Sequence, residues 1–456
     1  LFANQLISCY KNLTNVGFFM EFKNNLKIDK QRTIDDCFKY FSQNILDIET
    51  AMKGINNGNY VTIGSVSFGF SQEIAIQWRS FITTILKIKQ LTKFISFNTI
   101  DTKMKSIFKE YLVQPNINIF EKFQTIIKEL EKIRSEINYH YFIVIGFKTA
   151  QIYQFDNLKI GDFNQKCPIT KISFLEKIYL NNKIIQYHNE NNSLTPMIES
   201  QQNELHEIIS KFEQNTVIEI ANFGDEESSL SQSISDVESF ISEIIFLSKI
   251  SSNLEFDINL NMPNNEKNKP LLVNYVNNKI SSSSEKLKFI VNLDLKNTIN
   301  NRIQIGNLFK KLNFPLYSKS NNNELIDKIK TAINWYSSSL KASNNRESFL
   351  FCAIGMEALL TSGKDSITKT LSENTAFLIA HKDSISRKHV YTKMAYLYSQ
   401  RSGIAHGGNA NIEINDLVQL RYYLATCITS IISKIQKNEI NNSEELYQYL
   451  EDLKFG

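Results

Sequence analysis

The chain has few cysteines, and none of them are paired in sequence. Five occur in 456 residues, and they lie far apart: Cys9, Cys37, Cys167, Cys352 and Cys427. The absence of a Cys-x-x-Cys pair argues against a zinc ribbon, and the odd number argues against a disulfide framework. A reducing cytoplasm is therefore the compartment that we expect.

Long apolar runs and a strong charge of one sign are also missing. Lysine and arginine number 51 against 47 acidic residues, a net charge of +4, which neither requires nor excludes a nucleic-acid partner. The longest apolar runs, such as Tyr141–Phe147 and Ile244–Leu247, are much shorter than the ~20 residues that span a bilayer. We expect no membrane association.

Motifs for cofactor chemistry are absent as well. The six histidines are isolated from one another, and no group of His, Cys, Asp and Glu has the spacing of metal ligands. Neither a Gly-x4-Gly-Lys-Ser/Thr phosphate loop nor a Gly-x-Ser-x-Gly elbow occurs. We expect no metal, no cofactor and no ATP hydrolysis.

The patterns that are present predict a mainly α protein, in which a C-terminal helical bundle follows a larger α+β region. Apolar residues recur at helical spacing over 33–55, 72–95 and after Pro115, whereas 139–190 has the short apolar runs of strands. The predicted parts are, in chain order, a mainly helical region 1–138, an α+β region 139–260, a linker and mixed segment 261–323, a bundle 324–440 and a C-terminal tail 441–456.

Five consecutive amphipathic helices with short connections make up the predicted bundle. Ser386 is a candidate N-cap of the fourth helix, because its hydroxyl can accept a hydrogen bond from a free backbone N–H. Gly407 and Gly408 are placed to end that helix, since glycine readily takes the left-handed conformation that terminates helices.

The end of the fourth helix carries the most informative stretch, YLYSQRSGIAHGG over 396–408. Arg401 and His406 lie there, and a second Arg–His pair of similar spacing, Arg134 and His140, occurs upstream. The second pair straddles a helix-to-strand junction, where we expect a solvated helix end and a partly buried histidine. A basic residue in the last turn of a helix also interacts favourably with the helix dipole. Spacing alone therefore fits both a catalytic pair and an ordinary helix end at Arg401.

Several ordered pieces around this stretch resemble the Apea-like branch of the HEPN superfamily, the ribonuclease domains of abortive-infection and toxin–antitoxin systems. The matching pieces are AINWYSSSL (332–340), FLFCAIGMEALL (349–360), ITKTLSENTAFLIA (367–380) and YLYSQRSGIAHGG (396–408). The likeness covers residues 325–436, roughly a quarter of the chain. It implies a HEPN helical bundle and metal-independent cleavage of RNA.

The resemblance assigns catalysis to Arg401 and His406, and the chemistry of these side chains suits the reaction. An imidazole with a pKa of ~6.5 can act as acid or base near neutral pH, so His406 would transfer protons. A guanidinium can give two parallel hydrogen bonds to phosphate oxygens, so Arg401 would stabilise the developing charge. Attack by the ribose 2′-hydroxyl would leave a 2′,3′-cyclic phosphate and a 5′-hydroxyl.

Other residues are predicted to support this site. Ser402 could bind substrate or orient Arg401. Glu357 is a charged residue among apolar ones, so it needs a partner, and Arg401 is the natural candidate. A purely structural ion pair or an exposed helix face would also explain a glutamate at this position. His381 and His389 are expected at the surface. A path for the RNA backbone, which competes with a simple solvated face, would use Lys364, Lys369, Lys388, Lys393 and Arg421.

Helix geometry bears on the number of subunits. Residues five apart in an ideal helix are separated by about 140° around the axis, so Arg401 and His406 do not share one face unless Gly403 or the helix end relaxes the geometry. HEPN domains are known for dimers in which the residues of two subunits meet in one groove. We therefore expect a homodimer through the C-terminal bundle.

Residues 1 to about 260 carry no catalytic motif. A nuclease that can harm its host needs restraint, and we hypothesise that this region senses a phage-derived trigger or holds the bundle inactive. The whole chain would then be an anti-phage effector that cleaves host or phage RNA, with tRNA as one candidate. Two alternatives remain: a catalytically silent bundle for dimerisation or RNA binding, and the toxin of a toxin–antitoxin pair.

Overall fold

A computed structural model describes twelve stretches of the chain. They are residues 31–47, 60–63, 66–144, 153–155, 157–162, 216–251, 271–274, 279–282, 323–361, 367–380, 383–405 and 412–455. Within them, eleven helices and nine strands give a mainly α fold, which confirms the predicted fold class. Contacts divide the chain into two compact units, residues 1–138 with 223–229 and residues 139–222 with 230–456.

Four helices and a small sheet make up the described part of the first unit. The helices are α1 (Gln31–Gln43), α2 (Gln72–Ile88), α3 (Phe97–Val113) and α4 (Ile119–Arg134). The sheet is antiparallel, with β3 (Val66–Phe70) between β1 (Ile45–Asp47) and β2 (Tyr60–Ile63). Its neighbours in the core are aromatic side chains that meet edge to face or at tilted angles, among them Phe38, Phe41, Trp78, Phe81 and Phe108.

Two elements of this unit differ from the sequence prediction. The helix predicted over 33–55 ends at Gln43, because Asn44 turns the chain and its side-chain amide donates to the Tyr40 carbonyl at 2.8 Å. Ile45 then pairs with Phe70 across the sheet instead of continuing the helix. Helix α3 was not predicted, although Ser96 caps it by accepting a hydrogen bond from the backbone N–H of Thr99.

A six-stranded sheet and helix α5 (Glu226–Ser251) follow along the chain. The strand order is β5-β6-β7-β4-β8-β9, and the pairs β5–β6, β6–β7 and β8–β9 are antiparallel. The strands are β4 (Ile137–Val144), β5 (Tyr153–Phe155), β6 (Leu158–Asp162), β7 (Thr216–Phe223), β8 (Leu271–Asn274) and β9 (Lys279–Ser282). The last two lie within the segment predicted as linker and mixed structure.

The predicted bundle is present as five helices. They are α6 (Glu324–Lys341), α7 (Asn345–Leu360), α8 (Ile367–Ala380), α9 (Ser384–Ala405) and α10 (Ile414–Gln436). Their apolar faces form one core, which also takes in Phe246 from α5. The residues assigned to a C-terminal tail form a sixth helix, α11 (Ser443–Phe455), because Leu446 and Leu450 are buried in the same core.

The N-cap predicted for the fourth bundle helix was wrong by three residues. Asp383, not Ser386, precedes the first turn of α9, and its carboxylate accepts hydrogen bonds from the backbone N–H groups of Ile385 and Ser386. A carboxylate suits this position better than a hydroxyl, because it also interacts favourably with the positive end of the helix dipole. The predicted stop at Gly407 and Gly408 lies outside the described residues.

Helix α7 packs closely against its neighbours at Gly355. A Cβ at this position would lie 2.9 Å from Cδ2 of Leu424 on α10 and 3.2 Å from Cβ of Trp335 on α6. The missing side chain therefore lets three helices approach one another at Gly355, two residues before Glu357 in the chain. Among the described helices, none is long and apolar enough to cross a membrane.

Candidate functional site

Arg401 lies on the last turns of α9, on the side of the helix that faces the bundle. It follows the buried residues Leu397 and Tyr398 by four and three positions, which places it on the same helix face. Its side chain is 28% exposed, so the guanidinium is neither free in solvent nor fully enclosed. A cation in this position can meet both a partner within the bundle and a ligand from outside.

The partner within the bundle is Glu357 on α7. Nε of Arg401 lies 2.9 Å from Oε1 of Glu357, and Nη2 donates a hydrogen bond to Oε2 at 3.4 Å. The ion pair expected from the sequence is therefore confirmed, while the part that either residue plays in catalysis stays a prediction. The carboxylate faces the side edge of the guanidinium, the edge formed by Nε and Nη2.

A third residue, Tyr398, joins this pair. Its hydroxyl donates to Oε1 of Glu357 at 3.0 Å, and its ring centroid lies 5.9 Å from Cζ of Arg401. Burial, together with the hydrogen bond to Glu357 and its negative charge, raises the pKa of Tyr398 to about 12, although the positive charge of Arg401 opposes the shift. The phenol therefore stays protonated at physiological pH and remains a hydrogen-bond donor.

Tyr398 was not among the residues that the sequence predicted for this site. The signal for a larger role was its position three residues before Arg401, since side chains three apart are neighbours on a helix surface. The contact with Glu357 has no signal in sequence, because it depends on how α7 and α9 align.

The other members of the predicted catalytic stretch are only partly described. His406, Lys364 and His381 lie outside the described residues. Ser402 is exposed on α9 beside Arg401, and His389 is exposed near the start of that helix, as expected for a surface residue.

The lysines of the predicted RNA path differ in their surroundings. Lys393 forms an ion pair of 2.7 Å with Asp416, whose carboxylate also accepts a hydrogen bond from the Tyr396 hydroxyl. Lys369 is largely exposed and lies 3.8 Å from Glu373, while Lys388 is exposed on α9. Their role in RNA binding stays a prediction.

Arg421 makes structural contacts. Its Nη2 donates to the carbonyl oxygen of Ser339 and to Oγ of Ser348, both at 2.6 Å, and its Nε donates to Oγ of Ser339 at 3.2 Å. Arg421 therefore ties α10 to the end of α6 and the start of α7.

Another arginine near the site was not predicted. Nη2 of Arg346, an exposed residue in the first turn of α7, donates to the carbonyl oxygen of Ile404 at 3.3 Å. Ile404 lies near the C-terminal end of α9, two residues before His406 in the chain. Arg346 is thus a second cation at the end of α9 that leads to the predicted catalytic histidine.

The second Arg–His pair of the sequence forms no comparable arrangement. Arg134 ends α4 with its Cζ 4.9 Å from the centre of the Phe94 ring. His140 is buried on β4, and its Nδ1 lies 2.9 Å from Oγ of Ser233. Burial lowers the pKa of His140 to about 3, so it is neutral at physiological pH.

Within the described stretches, no group of three or more His, Cys, Asp or Glu side chains is arranged to hold a metal ion. Comparison of the chain with family models, curated proteins and solved structures gives no match.

Proposed function

We propose that this chain is a metal-independent endoribonuclease of the HEPN type, in which Arg401 and His406 act on the scissile phosphate. The observation that carries the proposal is the ion pair that places the guanidinium of Arg401 beside Glu357. Glu357 faces its side edge, and among the described residues none accepts a hydrogen bond from Nη1. The end edge, formed by Nη1 and Nη2, remains available for two parallel hydrogen bonds to phosphate oxygens.

The proposed reaction is a transesterification within the RNA. A base takes the proton of the ribose 2′-hydroxyl, the 2′-oxygen bonds to phosphorus, and the bond from phosphorus to the 5′-oxygen breaks. The 5′-oxygen takes up a proton as it leaves. His406 serves the proton transfers, and Arg401 stabilises the additional negative charge on the phosphorane.

The proposed setting is anti-phage defence. Residues 1 to about 260 restrain the nuclease or sense a phage-derived trigger, and the substrate is host or phage RNA, with tRNA as one candidate. The support for this is the size of a region without catalytic motifs beside a bundle that contains the site.

A homodimer through the bundle belongs to the same proposal. Three residues of α10 at successive helical turns, Ile414, Val418 and Tyr422, are exposed although they are apolar or aromatic. They follow closely on the segment that contains His406. A second copy that covers this stripe would bring the arginine of one chain and the histidine of the other to one groove. Arg401 and His406 of a single chain would then not need to share one face of the helix.

The first experiment measures cleavage of a synthetic oligoribonucleotide and of total tRNA in EDTA. We expect the wild-type chain to release 2′,3′-cyclic phosphate ends, and His406→Ala and Arg401→Ala each to lower the rate at least 100-fold while remaining folded. Equal cleavage by wild type and His406→Ala would assign the activity to another site, and no cleavage by either would fit both an enzyme that awaits its trigger and a silent bundle.

Mixing the two variants tests the composite site. Heterodimers of the Arg401→Ala and His406→Ala chains contain one groove with an intact pair, so partial activity should return on mixing. If the mixture stays as inactive as its components, each groove uses both residues of one chain.

A silent bundle is the second candidate, and one observation favours it. The ion pair between Glu357 and Arg401 joins α7 to α9 and would help to hold the bundle together without any catalysis. In that case Arg401→Ala would lower stability, and no RNA cleavage would depend on it.

A further inference from the structure

Arg401 can bind a phosphate productively only if its guanidinium is held in one orientation. The side chain has several rotatable bonds, and a guanidinium that swings would present its donors in varying directions. The surroundings of Arg401 limit this freedom from two helices. Glu357 reaches it from α7, and Tyr398 reaches Glu357 from α9, the helix that carries Arg401 itself.

The carboxylate of Glu357 accepts two hydrogen bonds. Oε2 accepts from Nη2 of Arg401 at 3.4 Å, and Oε1, which lies 2.9 Å from Nε of Arg401, accepts from the Tyr398 hydroxyl at 3.0 Å. The tyrosine hydroxyl therefore restricts the rotation of the carboxylate that faces the guanidinium. The Tyr398 ring, 5.9 Å from Cζ of Arg401, adds a weaker contact with the cation.

Packing in the core holds the backbone of α9 at Tyr398 and of α7 at Glu357. Tyr398 is 5% exposed, and Leu397 and Met356, next to Tyr398 and Glu357 in the chain, are fully buried. Gly355 allows the close approach of α7 to α6 and α10. The two positions that orient the guanidinium are thus anchored in the core, whereas the Arg401 side chain is partly exposed.

We propose that Tyr398 and Glu357 are positioning residues that hold the guanidinium of Arg401 in the orientation that binds the scissile phosphate. This proposal rests on the ribonuclease function proposed above. Neither residue touches the substrate, and both act through Arg401. Loss of the Tyr398 hydroxyl leaves Oε1 of Glu357 without its donor, the carboxylate rotates, and the end edge of the guanidinium turns away from the phosphate.

Single-turnover cleavage of a defined oligoribonucleotide by Tyr398→Phe and Glu357→Gln tests the proposal. We expect about a 10-fold loss of rate for Tyr398→Phe and a larger loss for Glu357→Gln, because hydrogen bonds to charged groups are among the stronger ones. The affinity for RNA, measured with each substitution in a His406→Ala chain that does not cleave, should change much less than the rate. The matched controls are Tyr391→Phe, an exposed tyrosine of the same helix, and Glu439→Gln, which loses an exposed ion pair.

A double-substitution cycle separates positioning from a purely structural role. If Tyr398 acts through Arg401, then adding Tyr398→Phe to an Arg401→Ala chain should lower the residual rate no further. If Tyr398 only supports the fold, the loss should be the same in both backgrounds and should follow the loss of thermal stability.

The outcomes bear on the two proposals separately. Cleavage that depends on His406 but is unchanged or faster in Tyr398→Phe overturns the positioning role and leaves the ribonuclease proposal standing. Equal losses of rate from Tyr398→Phe in the wild-type and Arg401→Ala chains also overturn the positioning role and leave the ribonuclease proposal standing. Cleavage that does not depend on His406 overturns the ribonuclease proposal for this site, and the positioning role falls with it.

Discussion

His140 illustrates how burial fixes the protonation of a single residue. The side-chain amide of Asn222 donates to Oγ of Ser233 at 2.7 Å, and the same Oγ lies 2.9 Å from Nδ1 of His140. Burial lowers the pKa of the ring to about 3, so the histidine is neutral at physiological pH. Within the described part of the chain, Nε2 has no hydrogen-bond partner, which adds to the cost of charging this ring.

The neutral state of His140 predicts a dependence of stability on acid. Its pKa is lowered from 6.5 to about 3 by burial, so between these values the unfolded chain binds a proton that the folded chain does not. Stability from this residue is complete above pH 6.5 and is lost as the pH falls toward 3. Between pH 7 and pH 5 the loss amounts to about 2 kcal/mol.

Urea unfolding of wild type and His140→Gln at pH 7 and pH 5 measures this loss. The variant should lack the part of the pH dependence that His140 causes, and His389→Gln, at an exposed position, should behave as wild type. The same pH dependence in wild type and His140→Gln would contradict the prediction.

At the scale of elements, Arg421 links three helices of the bundle. It is bound to Ser339 near the end of α6 and to Ser348 in the first turn of α7, and the Ser348 hydroxyl also donates to the Ser339 carbonyl at 2.7 Å. We expect Arg421→Met to lower the free energy of unfolding by about 2–3 kcal/mol, because hydrogen bonds to a charged group are lost and buried acceptors remain.

Urea unfolding measures this effect, with Arg79→Met, an exposed arginine of α2, as the control. The experiment also bears on the predicted RNA path. An Arg421→Met chain of undiminished stability and weakened RNA binding would show that the arginine serves RNA and not the helix junction.

The elements also show what the sequence could predict. Helices α6 to α10 follow from the spacing of their apolar residues, because each buries one continuous stripe in the same core. Ile45 fits the periodicity of α1 equally well, and only its pairing with Phe70 on β3 makes it part of a strand. Helix α11 was missed because its few buried leucines lie among charged residues, and its burial depends on the bundle being there.

The candidate site likewise contains one contact that the sequence could predict and others that it could not. Arg401 and its ion pair with Glu357 follow from residue types, since a carboxylate among apolar residues needs a cation. The contact of Tyr398 with Glu357 and that of Arg346 with the Ile404 carbonyl join residues 41 and 58 positions apart. Such contacts depend on how two helices are aligned, and no local pattern encodes that alignment.

At the scale of the whole molecule, the division of the chain affects how regulation can be tested. Removing residues 1 to about 260 would also remove α5, whose Phe246 is fully buried in the bundle core and lies 5.3 Å, edge to face, from the ring of Tyr336. Such a truncation would damage the bundle, and a loss of activity could not be attributed to lost regulation. A substitution confined to the first unit is the better test.

Gly224 offers that substitution. Its φ is +119°, a conformation that other residues rarely adopt, and a Cβ there would lie 2.2 Å from the carbonyl oxygen of Phe94. Residues 223–229 belong to the first unit, where the backbone N–H of Asp225 donates to that same carbonyl at 2.8 Å. We expect Gly224→Ala to destabilise the first unit by at least about 2 kcal/mol, through strain and a clash with backbone.

If the first unit restrains the nuclease, the Gly224→Ala chain should cleave RNA faster than wild type without any trigger, and His406→Ala in the same chain should abolish the gain. Val113→Ala, at an exposed position of α3, is the control for substitution in this unit. Limited proteolysis shows whether the first unit has loosened while the bundle has not. A loosened first unit with an unchanged cleavage rate would contradict the restraint, because the bundle would then work at its full rate whatever the state of the region that precedes it.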